Sequence, residues 1–149
     1  VKDFLTQLNK GSTVNKTHYV EQVDGTHYGR KYGHWDLCKA VNASYLEGCA
    51  SKYVFRWRSK AGVIDLKKSL SYLNKLMIGN VSTVVNRGLD YYSLMSRFFI
   101  ENEVGSDERT LIELLLFWND YNDLIDAHTI LSAMIIREED LIPTAKDPK

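Results

Sequence analysis

Along the chain, apolar positions return at the three- and four-residue spacing of an amphipathic helix, and no segment alternates for long enough to make a convincing strand. Phe4, Leu5 and Leu8 open such a pattern and Gly11 closes it, which predicts a short helix over residues 2–9. Residues 12–33 are polar and punctuated by Gly25, Gly29 and Gly33 around His27 and Tyr28, the composition of a loop or arm. From Trp35 to Arg58 only Gly48 interrupts helix-compatible residues. Ala43, Leu46, Ala50, Tyr53, Val54 and Trp57 fall on one side, so one helix is expected over about 35–59. Gly62 breaks the pattern, and Asp65 is placed to cap a second helix, over about 65–78, with Leu66, Leu70, Leu73 and Met77 as its stripe. These two form a helical hairpin. Residues 79–88 read as a connection, with Val81, Val84 and Val85 able to add a little strand or more helix. A third helix is expected over about 89–101 and a fourth over about 107–137. The fourth has Leu111, Leu114, Leu115, Trp118, Tyr121, Ile125, His128 and Ser132 near one stripe and acids in its first turn, where the helix dipole favours them. The expected fold is all-α and a single domain: helix and arm over 1–26, a central hairpin over 27–78 and a C-terminal helical part over 88–138.

Composition supports a packed soluble core. The chain has 149 residues, 44% of them hydrophobic, and its longest apolar runs, such as 114–118, fall far short of the roughly 20 residues that cross a bilayer. No membrane partner is therefore expected. Two cysteines, Cys38 and Cys49, are too few for a disulfide scaffold, and no charged leader with an apolar segment opens the chain; a reducing cytoplasm fits this usage best. Acidic and basic residues balance, 19 against 19, so the molecule has no bulk attraction to nucleic acid. Their distribution is uneven. Residues 48–75 hold seven Lys and Arg against the single acid Asp65, whereas residues 101–140 hold eleven acids against Arg109 and Arg137. Such a dipolar chain can hold an anionic ligand at one end or pair its own halves.

The cationic stretch carries the candidate chemistry. Lys52 and Arg56, four apart, share the side of the first long helix that bears Tyr45 and Gly48, opposite the apolar stripe. A missing side chain at Gly48 would let a ligand approach the backbone, and an ammonium beside a guanidinium can hold phosphate oxygens. Lys60, Lys67 and Lys68 gather at the hairpin corner, and His27 with Tyr28 could close over a phosphate as acid, base or donor. The competing structural reading is a solvated helix face. A nucleic-acid strip is a third, because Tyr53, Phe55 and Trp57 interleave with the cations, but helical phase turns Tyr53 and Trp57 towards the core. His34 and Cys38 have zinc-ligand spacing without a second pair. Asp120, Asp123 and Asp126 recur every three residues, where carboxylates could share a divalent ion, against the plainer reading of a wet helix side. No metal site is assigned, with Asp120 and Asp123 as the second choice. The chain has no Gly-Lys pair and hence no P-loop, and no Gly-x-Ser-x-Gly elbow.

His27-Tyr28, then Gly48-x-x-x-Lys52-Tyr53-x-x-Arg56, Lys60-x-Gly62-x-x-Asp65-Leu66-x-Lys68 and Tyr72-Leu73 resemble the small phage-encoded SaV-like family. The resemblance covers residues 27 to about 76, a third of the chain. With its helical C-terminal part the chain is similar to longer podovirus members that are deoxynucleoside monophosphate kinases lacking a P-loop. The resemblance implies phosphoryl transfer from a nucleoside triphosphate to thymidylate or deoxyguanylate, in a homo-oligomer, in the infected cell's cytoplasm. It also implies roles: Lys52, Arg56 and His27 in catalysis, and Tyr28, Tyr45, Gly48, Lys60, Asp65 and Lys68 in substrate binding. Mg2+ would accompany the triphosphate, with no protein site for it. Cys49 and Ser69 depart from the Asn and Ala common in the family. Physical chemistry agrees that such a transfer needs positioning and positive charge more than a covalent nucleophile. On this reading Asp65 caps the second helix and orients Arg56 or Lys60, and replacing Lys52 or Arg56 by Ala removes activity while leaving the fold intact. The alternatives are a helical nucleotide pyrophosphohydrolase and a non-catalytic phage protein that binds a nucleotide or a host protein.

Overall fold

The structure, a computed structural model, describes residues 31–79 and 91–142. Among them the chain forms six α-helices and no strand, so the all-α class holds. They are α1 (His34–Val41), α2 (Tyr45–Arg56), α3 (Val63–Met77), α4 (Tyr91–Glu101), α5 (Ser106–Phe117) and α6 (Tyr121–Leu141), with a 3-10 turn, Trp57–Ser59, after α2. The expected N-terminal helix and arm, including His27 and Tyr28, and the connection over 80–88 lie outside the described residues.

Two expected helices are each two. Asn42 takes the left-handed conformation (φ 60, ψ 44) and stops α1, its N–H turning back to the carbonyls of Cys38 and Lys39. Ser44 then restarts the chain: its Oγ accepts from Glu47 N at 3.3 Å, and its own N–H donates to Glu47 Oε1 at 2.8 Å. The expected fourth helix breaks at Trp118, and Asp120 caps α6 by accepting from Asp123 N at 3.3 Å. Asp123 in turn accepts from Asn119 N at 2.7 Å. Because the break resets the helical phase, the stripe expected through Tyr121, Ile125 and His128 is not the buried one. In α6 the core face is Leu124, Ala127, Leu131, Met134 and Ile135, and the helix runs on to Leu141. Asp65 is not the cap of α3 either. Gly62 stands there at φ 63, a conformation that costs residues with a Cβ, and Asp65 is the third residue of the helix, fully buried.

Four helices close into a ring in which α2 packs on α3, α3 on α6, α6 on α5 and α5 back on α2. Contacts at their ends make each pair antiparallel. Glu47 near the start of α2 meets Trp118 just beyond α5, while Trp57 just beyond α2 meets Glu108 near the start of α5. Lys67 on α3 pairs with Glu139 near the end of α6 at 2.6 Å, and Arg137 on α6 with Asp107 on α5 at 3.1 Å. α1 and α4 pack together beside the ring. Phe98 of α4 meets Phe55 of α2 at 4.9 Å between ring centroids, which ties the two parts into one core.

Candidate functional site

The side of α2 that faces neither α5 nor the core meets α3 in a cluster of tyrosines and cations. The capping box at Ser44 sets the start of α2 and so the phase of Tyr45, Cys49, Lys52, Tyr53 and Arg56. Across the hairpin, Tyr72 of α3 stacks on Tyr53 with ring centroids 5.8 Å apart and planes 8° apart, and Tyr45 meets the same Tyr72 ring edge-on at 6.2 Å. Three cations surround the Tyr53 ring. Lys52 Nζ lies 5.4 Å from its centroid, Lys68 Nζ 5.5 Å and the Arg56 guanidinium carbon 5.1 Å. The expectation that Tyr53 turns away from Lys52 and Arg56 is thereby corrected. A tyrosine at the margin of an apolar stripe can pack its ring while leaving its edge to neighbouring charges.

Arg56 is held in place from below. Its Nε donates to Asp65 Oδ2 at 3.0 Å and its Nη2 to Asp65 Oδ1 at 3.4 Å, and Asp65 Oδ2 also accepts from Ala61 N at 3.1 Å. One buried carboxylate thus fixes both the guanidinium and the turn between α2 and α3. Asp65 is fully buried and positions Arg56 without a surface of its own for a substrate. The orienting part of its expected role matches this geometry; the capping and substrate-contact parts do not. Arg56 is moreover the counter-ion of a buried acid, so its removal should cost stability as well as a charge at the cluster. Lys52 and Lys68 are exposed, and Lys60 stands exposed in the turn.

Gly48 does not join this cluster. A Cβ built on it would point at Cys38 Sγ of α1, 3.8 Å away, at ordinary contact distance. Around it lies a separate polar group. Ser51 Oγ donates to Gly48 O at 3.2 Å and accepts from His34 Nε2 at 2.8 Å, and Cys38 Sγ sits 3.4 Å from the same nitrogen. The His34 ring also stacks on Phe55 at 6.1 Å. Burial, assisted by the charge of Lys52, pushes His34 down to about 4, and burial pushes the Cys38 thiol up to about 11. Among the described residues no further His, Cys, Asp or Glu gathers with His34 and Cys38 into a group of three that could hold a metal ion. Hydrogen bonds with Cys49 and then Tyr72 push the Tyr45 phenol up to about 12, so it keeps its proton and remains a donor at neutral pH.

The acidic candidates are used by the backbone. Asp120 caps α6 and Asp123 closes the turn before it, and among the described residues no three His, Cys, Asp or Glu side chains gather as a metal site. Tyr53 and Tyr72 are the members of the cluster that the helical-phase argument missed. No family model, curated protein or solved structure matches this chain.

Proposed function

We propose that the α2–α3 face binds nucleotide phosphates and that the protein is a deoxynucleoside monophosphate kinase without a P-loop, acting on thymidylate or deoxyguanylate. One observation carries the reading: Lys52, Lys68 and Arg56 converge on the stacked pair Tyr53–Tyr72, two of the cations exposed and the third aimed by a buried carboxylate. Lysine ammonium groups serve as point charges for phosphate oxygens, and the exposed Lys52 and Lys68 supply two of them. The neighbouring tyrosines offer π-faces and a phenol donor to a base or sugar. In the transfer, an oxygen of the acceptor monophosphate forms a bond to the γ-phosphorus of the triphosphate as the bond to its bridging oxygen breaks. The products are two nucleoside diphosphates. The cations stabilise the charge on the transferring group, and Mg2+ enters with the triphosphate as part of the substrate.

The test is an incubation of the full chain with dTMP or dGMP and a nucleoside triphosphate, with separation of products. Diphosphate from both nucleotides supports the kinase. Pyrophosphate indicates a helical pyrophosphohydrolase instead, and tight binding without turnover indicates a sequestering protein. The stacked tyrosines inside a ring of cations also favour a second reading, single-stranded nucleic acid, whose affinity would fall steeply with salt.

A further inference from the structure

Two of the chain's three tryptophans hold helices together. The indole of Trp57 donates to Glu108 and that of Trp118 to Glu47, each at 2.7 Å. Trp35, in the first turn of α1, has no such role. It is 67% exposed, and among the described residues its indole N–H has no hydrogen-bond partner and its ring no aromatic neighbour. What so large an exposed ring can meet depends on which way α1 turns it.

The contacts between α1 and α2 fix that orientation. His34 Nε2 lies 2.8 Å from Ser51 Oγ, and Cys38 Sγ lies 3.8 Å from the Cβ position of Gly48. The two helices are thus antiparallel, with Trp35 near the level of Ser51 and Lys52. At about 100° per residue, the fully buried Leu37 lies about 60° to one side of His34, and Cys38 and Trp35 lie about 40° and 100° to the other. The Leu37 side is covered by α4, whose Phe98 meets both His34 and Phe55 and whose Tyr91 stacks on Phe117 of α5. Trp35 therefore faces the other way, over the side of α2 that carries Lys52, Cys49 and Tyr45. The charge of Lys52 acts on His34 and Cys49 adjoins Cys38, as this placement requires. The Tyr53 and Tyr72 rings cover each other at 5.8 Å, so Trp35 brings to the cation cluster an aromatic face that no other ring occupies. We propose that the base of the bound nucleotide stacks on Trp35 while Lys52 and Lys68 hold its phosphate. The inference rests on the nucleotide reading of the α2–α3 face and adds α1 to that site. Every base has a π-face, so a stacking platform suits a site that takes both a pyrimidine and a purine. Affinity for the base and affinity for the phosphate then reside in different residues.

The experiment is calorimetric titration of the full chain with dTMP and, separately, with deoxyribose 5-phosphate, which carries the phosphate without the base. Trp35→Ala should weaken dTMP binding by about tenfold and leave deoxyribose 5-phosphate binding unchanged, with unaltered helical circular dichroism. Trp35→Phe keeps a ring and should retain most of the dTMP affinity. Tryptophan fluorescence adds a signature that a merely structural role would not move: dTMP should quench the emission of the wild type and not that of Trp35→Phe. Equal dTMP affinity in the wild type and folded Trp35→Ala, or equal losses for both ligands, would overturn the proposal and leave the phosphate face standing. A wild type that binds neither ligand would remove the nucleotide reading and this proposal with it.

Discussion

Helix α2 has two neighbours that bury acids against it, and the two seams use them differently. Towards α5 the seam is closed at both ends by an indole donating to a carboxylate: Trp57 to Glu108 at 2.7 Å and Trp118 to Glu47 at 2.7 Å. Arg58 and the backbone N–H of Ser44 satisfy the other demands of these acids, at 2.8 Å each. Towards α3 the buried acid is Asp65, and its partner is a guanidinium that also borders the tyrosine cluster. The first seam spends its carboxylates on holding two helices antiparallel. The second uses one carboxylate to aim a cation and leaves Lys52 and Lys68 exposed. The contrast separates charges that maintain the fold from charges available to a ligand, although all lie within one helix of each other.

The largest effect should come from Arg56. Arg56→Ala leaves the Asp65 carboxylate buried without its counter-ion and should cost about 3–5 kcal/mol in urea unfolding. The double change Arg56→Met with Asp65→Leu should recover much of that stability without recovering nucleotide binding. A loss below about 1 kcal/mol in Arg56→Ala would mean that the second seam is as dispensable as a surface pair.

Acid should weaken the α1–α2 junction by a comparable amount. His34 binds a proton near 6.5 when unfolded and near 4 when folded, so the unfolded state holds more protons between these values. Its contribution is fully present above about pH 6.5 and is lost as pH falls towards 4, by about 3 kcal/mol in all. His34→Gln should flatten that part of the stability profile relative to the wild type, and an unchanged slope would remove His34 from the account.

On the α5 seam, Trp57→Phe keeps the aromatic packing and removes only the indole donor to a buried carboxylate, which should cost about 2 kcal/mol. Trp118→Phe should cost less, about 1 kcal/mol, because Trp118 is more exposed and Glu47 retains its capping bond to Ser44. The smallest effect on stability should be that of Lys52→Ala and Lys68→Ala, each within about 0.5 kcal/mol of the wild type in thermal unfolding.

Helical periodicity made the all-α class, the α2–α3 hairpin and the location of α4 legible. Both misplaced boundaries had local signals, Ser44 with Glu47 and Asp120 with Asp123. The second was obscured because Trp118, Tyr121 and Ile125 continue an apolar spacing by coincidence across the break. That coincidence assigned Tyr121 and Ile125 to the core when they line an open groove. Within the candidate site, Lys52 and Arg56 could be placed together from their four-residue spacing, whereas Lys68, expected at the hairpin corner with Lys60 and Lys67, lies against the Tyr53 ring. Gly48 could not, because its open side faces α1, an element that the sequence reading had merged into α2. The partners of Glu47 and Glu108 lie 71 and 51 residues away along the chain, and no local pattern joins them.

The central claim is that exposed cations on the α2–α3 face bind nucleotide phosphate. Calorimetric titration of dTMP into the wild type and into Lys52→Ala/Lys68→Ala tests it most directly. Loss of two charge-assisted contacts should weaken binding by at least about tenfold while the unfolding temperature stays the same. Equal affinity in the wild type and the double variant would contradict the account.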